Sequence, residues 1–267
     1  MGHLIINEDR CIGCGLCVSV CIREAIVIGD WKAHENSASV MGCMDCGHCM
    51  AICPNDAIRL TRYQHEKDKP VPYGNKPTLT YETFLRFLSE RRTMRWMLDT
   101  PVSKDQFDKI FAAAHYSPST FNTQEVRFVV LDKDLDAFLR HIAVILKPMA
   151  AENPRVRQFI EYMDDPTSAK YNPFLWTGKQ VILTFSKRRA DAFIAMSRAE
   201  LAAATLGLGG FYSIWIARAE RQDHEELMKF FPEIPAGYRL NVAYVIGRPK
   251  VRFVRTVPRM DTVVHMR

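Results

Sequence analysis

Eight cysteines in two copies of one spacing are the residues of this chain best equipped for chemistry. The first copy, CIGCGLCVSVCIREAI, holds Cys11, Cys14, Cys17 and Cys21, and the second, CMDCGHCMAICPNDAI, holds Cys43, Cys46, Cys49 and Cys53. Each reads C-x2-C-x2-C-x3-C, a run that wraps three thiolates around one iron–sulfur cube and sends the fourth to the other cube. The copies share Gly, Ala and Ile at matching places, 32 residues apart, so the segment is an internal repeat. Zinc is the alternative, because Cys-x2-Cys pairs also build tetrahedral sites. Such sites pair two separated units, whereas here four cysteines crowd into eleven residues, twice. A disulfide framework is disfavoured. MGHLIINEDR has acidic residues where a secretory segment needs an apolar run, and a cytoplasmic protein is expected.

With its motifs in place, this segment resembles a bacterial two-cluster ferredoxin over roughly residues 1 to 60, within a domain bounded at 1–62. The resemblance implies one 4Fe–4S cluster on Cys11, Cys14, Cys17 and Cys53, and a second on Cys43, Cys46, Cys49 and Cys21. Pro54 follows the last cysteine as in that family, while Ile22 stands at the equivalent place in the first copy.

The other elements must supply whatever the clusters serve. The chain has 267 residues, 48% hydrophobic and 25% charged, an ordinary globular composition with room for one or two domains. Sixty residues bury too little surface to be secure alone, so the cysteine domain needs its metal. Residues 63–80, rich in proline and mixed charge without apolar periodicity, read as a linker. Residues 81–267 contain no cysteine and can hold a full core. No stretch has the apolar length of a membrane span. The net charge of +6 is mild and its basic residues fall in short stretches, so nucleic acid is not the expected partner.

In the second half TYETFLRFLSERR reads as an amphipathic helix with Phe84, Leu85 and Leu88 on one stripe. Ser103 with Gln106 forms a capping box for a helix ended by Pro118. Residues 126–132, 180–186 and 240–247 read as strands apolar on both faces. DAFIAMSRAELAAATLGLGG reads as an alanine-rich helix closed by glycines and packed closely on both sides, central to the domain or shared between subunits. These glycines, Gly207, Gly209 and Gly210, do not make a dinucleotide fingerprint. The third glycine would fall at Tyr212, and the run follows a helix where the fingerprint must follow a strand. The segment 134–178, with Lys147-Pro148 and Asn153-Pro154, is expected to form a helical lid. The fold class is α+β, helices around a central sheet beside an iron–sulfur domain.

Two basic clusters, Arg91-Arg92-Thr93-Met94-Arg95 and the run Arg248, Lys250, Arg252, Arg255 and Arg259, could grip phosphate, or could be solvated faces. The polar loop SPSTFNTQ at 117–124 could hold a heteroaromatic ring, or could simply connect helix to strand. R-x-T-x-R, a PVS-led helix, SPS-x-x-N-x-Q before a strand, GLG ahead of an aromatic and a basic end occur in this order. Together they resemble the FMN-dependent nitroreductase family over residues 81–260.

The resemblance implies a nitroreductase-like α/β sandwich and a homodimer with FMN at its interface. It assigns Arg91, Thr93 and Arg95 to the phosphate and ribityl chain, and Pro118, Ser119 and Thr120 to the underside of the ring. Asn122 would bond near the reactive edge, Asn172 the pyrimidine side, and Gly207, Gly209 and Gly210 would line the ring. Arg255 and Arg259 would complete the phosphate clamp. Gln124 is followed by Glu125-Val126 where the family often has an aromatic, and Gly178 by Lys179-Gln180 where it usually has a proline. Both departures bear on substrate choice.

Cubes pass electrons singly and a flavin releases them in pairs, so the expected activity is two-electron reduction of a small organic acceptor. Nitro compounds, quinones and enones are the acceptor classes, and an external one-electron donor protein is the input. The rival readings are an electron relay to a protein partner and a flavin reductase of one metabolite, such as a reductive dehalogenation substrate. No proton donor stands out among His115, Tyr116, Tyr171 and Tyr212.

Overall fold

A computed structural model describes residues 3–74 and 78–267; Asn75, Lys76 and Pro77 of the expected linker lie outside the described residues. The chain divides into two compact units, Met1–Thr78 with Phe121–Thr123, and Leu79–Thr120 with Gln124–Arg267.

The first unit runs β1 (Leu4–Ile6), α1 (Leu16–Ser19), β2 (Ile26–Gly29), β3 (Lys32–Glu35), α2 (His48–Ile52) and β4 (Ile58–Leu60). β1 pairs antiparallel with β4 and β2 with β3, so the two copies of the repeat build two matching ribbons. Each cysteine motif turns into its short helix through a glycine in the left-handed region, Gly15 at φ 74° and Gly47 at φ 78°. Only a residue without Cβ takes that turn freely. The core is thin: Ile26, Ala33, Met50, Ile58 and Leu60 with Cys17 and Cys49. A core in which cysteines are a large share is completed by what those cysteines bind.

The second unit runs α3 (Tyr81–Glu90), α4 (Lys104–His115), β5 (Arg127–Leu131), α5 (Leu135–Leu146) and α6 (Pro154–Asp164). It continues with β6 (Gln180–Ser186), α7 (Arg189–Thr205), β7 (Gly209–Tyr212), α8 (Ile214–Gln222), α9 (His224–Met228) and β8 (Arg239–Gly247). The sheet order is β5-β6-β8-β7, antiparallel throughout. Alternation along the strands feeds two cores. Val181, Leu183, Phe185 and Val245 face a core shared with α5, α6, α8 and α9. Ile182, Val242, Tyr244 and Ile246 face a second core shared with α4 and α7. A strand buried on both faces reads as a continuous apolar run, and QVILTFS, buried at every position, is one.

α4 begins as its sequence requires, with Ser103 Oγ accepting from Gln106 N–H and Gln106 Oε1 accepting from Ser103 N–H. α7 packs through Ala192, Ala195, Met196, Ala199 and Ala203, small enough to let α4 and the sheet approach closely. Two expectations are corrected. The segment 134–178 is helical, but it is not a separable lid. Phe138, Ile142 and Leu146 of α5 and Val156 and Phe159 of α6 are fully buried in the first core, at about 1.5–3 kcal/mol of burial for each such side chain. The glycines after α7 also do more than close a helix, since Gly209–Tyr212 form the edge strand β7. Gly207, at φ 72°, provides the helix stop, with Leu208 N–H donating back to Ala203 O at 3.0 Å.

Gly210 has a different reason. A Cβ there would overlap the Val245 carbonyl oxygen and press on the Tyr244 ring at 2.7 Å. Gly210→Ala is therefore expected to cost about 1–3 kcal/mol, as overpacking does. At about 2–4 °C per kcal/mol, thermal unfolding should start from a clearly lower midpoint; an unchanged midpoint would contradict this packing.

α3 is the outlier. Its apolar stripe, Phe84, Leu85 and Leu88, is exposed, and none of its residues is buried. Phe193 and Ile194 on α7 and Ile214 on α8 are exposed as well.

Candidate functional site

In the first unit the thiols surround two separate cavities. Cys11, Cys14 and Cys17 line one together with Cys53 from the second motif. Cys43, Cys46 and Cys49 line the other together with Cys21 from the first. The chain crosses over because α1 and α2 pack together, carrying the fourth cysteine of each run to the far cavity. All eight cysteines are free thiols, not disulfides. Backbone N–H groups reach one sulfur of each pairing end: Ala33 to Cys11 at 3.4 Å, Ala57 to Cys53 at 3.2 Å, Ala25 to Cys21 at 3.3 Å and Asp45 to Cys43 at 3.3 Å. Hydrogen bonds to ligating sulfurs tune the potential of a cluster they hold.

Burial pushes the Cys17 and Cys43 thiols up and the Cys49 thiol up to about 12, so ligand binding there releases protons. Among the described residues no three His, Cys, Asp or Glu side chains are placed to hold a single metal ion. Zinc would need four ligands at about 2.3 Å. Four soft thiols around a wider cavity, with amide donors to their sulfurs, are a donor set for a cube.

In the second unit a basic cavity of about 860 Å³ opens at the C-terminal end of α7. That is within the range of about 300–1,000 Å³ usual for small-molecule sites. Arg91 and Arg92 enter from the segment after α3, Gly207 and Gly209 from the α7–β7 turn, and Lys250, Arg252 and Arg255 from the chain after β8. The sheet holds these strands of chain together. Thr93 bridges to Gly210, Met94 N–H donates to Gly210 O at 2.8 Å, and Lys250 N–H donates to Trp96 O at 2.9 Å.

The two adjacent arginines differ. Arg91 is held by the carboxylate of Glu200, which is only 10% exposed and also accepts from Tyr212 O–H at 2.7 Å. Burial and that carboxylate push the Tyr212 phenol up, so it remains a donor. Arg92 donates from Nη1 to Arg91 O at 2.7 Å, while its buried Nε has no hydrogen-bond partner among the described residues. A guanidinium at a basic cavity with a donor the fold does not use is a place for an anion. The residues fit a phosphate-bearing ligand such as FMN.

Of the residues picked out in the sequence, this cavity gathers Arg91, Arg255, Gly207 and Gly209. Thr93 lies on the β7 edge and Gly210 in the sheet. Arg95 lies over the Trp176 and Phe211 rings at 5.7 and 5.5 Å. Asn172 is buried, and its side-chain oxygen is spent on the N–H groups of Phe174 and Leu175. Arg259 is in the exposed C-terminal stretch. Pro118, Ser119 and Thr120 follow α4, where Thr120 donates to Asp191 at the start of α7 and Ser119 Oγ accepts from Gln124 N–H. Asn122, at φ 54°, is grouped with the first unit.

Glu200 is the addition, and Arg92, read in the sequence only as part of the basic cluster, gains a place of its own at the cavity. Glu200 hides in an alanine-rich helix, but the buried face of that helix cannot carry Asp191 and Glu200 without partners. That was the available signal.

Comparison with known proteins now bears on these two sites. The model of the nitroreductase family matches residues 88–248, and that of a 4Fe-4S dicluster domain matches residues 3–54. The FMN reductase [NAD(P)H] of Bacillus subtilis is 27% identical over 186 residues, 66% of this chain and 69% of its own. Two solved nitroreductases with bound FMN share the fold of the second unit. That of Desulfitobacterium hafniense is 20% identical with a TM-score of 0.53, covering 68% of this chain and 97% of its own. That of Bacteroides fragilis is 14% identical with a TM-score of 0.53, covering 68% and 98%. No helix among the described residues is long and apolar enough to cross a membrane.

Proposed function

Because the chain belongs to the nitroreductase family, as an FMN-dependent oxidoreductase with a 4Fe-4S dicluster domain ahead of its flavin domain, we propose that it gathers electrons singly and delivers them in pairs. The acceptor is a small organic molecule with a nitro group, a quinone or an activated C=C bond. It takes two electrons and two protons, giving a nitroso group and water, a quinol, or a saturated bond. The donor is a one-electron protein oxidised in two separate encounters. Bound FMN supplies the exchange between single electrons and pairs. One observation carries this reading: the same chain holds two four-thiol cavities and a basic, FMN-sized cavity lined by Arg92, whose buried Nε the fold leaves unpartnered among the described residues.

Within that site Arg92, Lys250, Arg252 and Arg255 grip the phosphate. Glu200 holds Arg91 against the cavity wall, and Gly207 and Gly209 leave room for the ligand. Thr93 and Arg95 keep their assignment to the ribityl side, and Arg259 to the outer clamp. Pro118, Ser119 and Thr120 serve the ring from a second copy of the chain. On one copy they are anchored at Asp191, thirteen residues along α7 from Ala204 at the cavity, about 20 Å at 1.5 Å per residue. A homodimer brings the two ends together, and the exposed faces of α3 and α7 offer its apolar contact. The cytoplasm, where thiols stay reduced, is the proposed setting.

The test is anaerobic turnover by flavin- and iron-loaded protein, with a photochemically generated one-electron reductant and a quinone, an enone and a nitroaromatic as acceptors. Multiple turnovers of at least one acceptor by a dimer are expected. Reduced protein that no small acceptor reoxidises would replace this reading with that of a relay to a protein partner.

A further inference from the structure

The two cluster sites come from one repeat, but they are not electrostatically alike. β2 and β4 occupy equivalent places, Ile26 corresponding to Ile58, and their partner strands continue the match. Lys32 stands opposite Gly29 in β2–β3, and His3 stands opposite Thr61, whose N–H donates to His3 O at 2.9 Å. Lys32 and His3 are therefore equivalent positions with different chemistry.

Lys32 turns its ammonium onto the first cysteine loop. Nζ donates to Cys11 O and to Glu8 O, both at 2.7 Å, while the next residue, Ala33, donates its N–H to Cys11 Sγ. No carboxylate lies within ion-pair distance of Lys32 among the described residues; Glu8, Asp9 and Asp30 are exposed. At the second loop the corresponding residue, His3, meets Asp45 through Nδ1 at 3.2 Å. Asp45 occupies the repeat position of Gly13, both in the left-handed region, and its Oδ1 lies 3.9 Å from Cys43 Sγ. Gly13 has no room for a side chain, because a Cβ would strike the Trp31 carbonyl.

The remaining cations do not remove the contrast. Arg10 lines the first cavity and shares Asp56 with Arg59; Arg23 lines the second and is the cation there that balances the charge of Asp45. The first site is thus left more positive than the second. It is also somewhat more open to water at one ligand: Cys14 is exposed while its counterpart Cys46 is half-buried, and Cys17 and Cys49 are both buried.

We infer that Lys32 is a potential-setting residue that makes the Cys11–Cys14–Cys17–Cys53 cluster the first of the two to be reduced. An added electron is stabilised by a nearby cation and by water, and is opposed by a nearby carboxylate. Asp45 holds the other cluster lower. Electrons entering at the Asp45 side run downhill to the Lys32 side.

The experiment is a stepwise anaerobic reduction of the iron- and flavin-loaded protein, following the clusters by paramagnetic resonance and the flavin by visible absorption. Two cluster waves are expected. Lys32→Met should lower the higher wave by a roughly tenfold change in reduced-to-oxidised ratio, about 59 mV for one electron, and leave the lower wave in place. Lys32→Arg should restore it. Asp45→Asn should raise the lower wave alone. Should Lys32→Met lose iron, Lys32→Arg and Asp45→Asn still decide the matter, because the gap between waves must persist in the first and narrow in the second. Waves that ignore Lys32 and Asp45, or that both move with either one, would overturn the assignment.

Discussion

Replacing Cys53 with alanine is expected to empty the cavity of the first cysteine motif, although Cys53 belongs to the second. Cys53 lines the cavity of Cys11, Cys14 and Cys17, and the N–H of Ala57 fixes its sulfur at 3.2 Å. Iron should fall from about eight to about four per chain, as the loss of one cube requires. The surviving cluster should be that of Cys43, Cys46, Cys49 and Cys21, and its potential should respond to Asp45→Asn and not to Lys32→Met. Cys21→Ala should do the reverse. Because the unit's core is thin and partly made of these cysteines, either variant should also unfold at lower temperature. If each motif held its own four ligands, Cys53→Ala would spare the cluster that responds to Lys32, and the crossed ligation would be wrong.

Arg92→Ala is the second large effect expected. The buried Nε of Arg92 has no partner among the described residues, so the substitution removes a donor the fold leaves unused, at the cost of one Nη1 bond to Arg91 O. A hydrogen bond to a charged group is worth about 1.5–3 kcal/mol, so FMN should bind roughly tenfold to more than a hundredfold more weakly. Arg92→Lys should recover only part, because an ammonium cannot reproduce the planar fork of the guanidinium. Titration of flavin-free protein with FMN, read by flavin fluorescence, measures this directly. Arg91→Ala should behave differently. It strips Glu200 of its counter-charge and should cost stability as well as affinity, because an unpaired buried carboxylate is left behind. Equal affinities in wild type and Arg92→Ala would move the phosphate elsewhere in the cavity.

Much of this architecture was legible because local chemistry and tertiary demand agree. Ser103 and Gln106 start α4 as their spacing requires, and β6 spans the residues its apolar run marks. The two cysteine runs declare their clusters, and the sheet's neighbour rules follow from strands apolar on both faces. The misses have physical reasons. β7 is Gly-Gly-Phe-Tyr, poor in strand formers, and it exists because β8 pairs with it and Gly210 lets the sheet close. Lys147-Pro148 and Asn153-Pro154 suggest a loose cover. Yet Asn153 caps α6 through the N–H groups of Arg155 and Val156, and Pro154 starts the helix, so these residues punctuate a core.

The site was less legible than the fold. The Arg91–Glu200 pair spans 109 residues, and nothing local to either residue announces it. Arg92 and Arg91 look equivalent in sequence; the Glu200 carboxylate on one and the unused buried donor of the other separate their roles. Thr120 and Asn172, which the resemblance assigns to the flavin, also make hydrogen bonds inside the fold that no local sequence signal announces. The asymmetry between Lys32 and His3 was invisible until strand register made them counterparts.

The account rests on electrons leaving the cubes through the flavin in pairs. The most direct test is to reduce the fully loaded protein anaerobically, remove the reductant, and titrate it with a quinone while following iron–sulfur and flavin absorption together. Two cubes and one FMN store about four electrons per chain, so about two equivalents of quinol should form, with the clusters and the flavin all reoxidised. If only about one equivalent forms and the clusters stay reduced, the cubes do not feed the flavin, and the central claim fails.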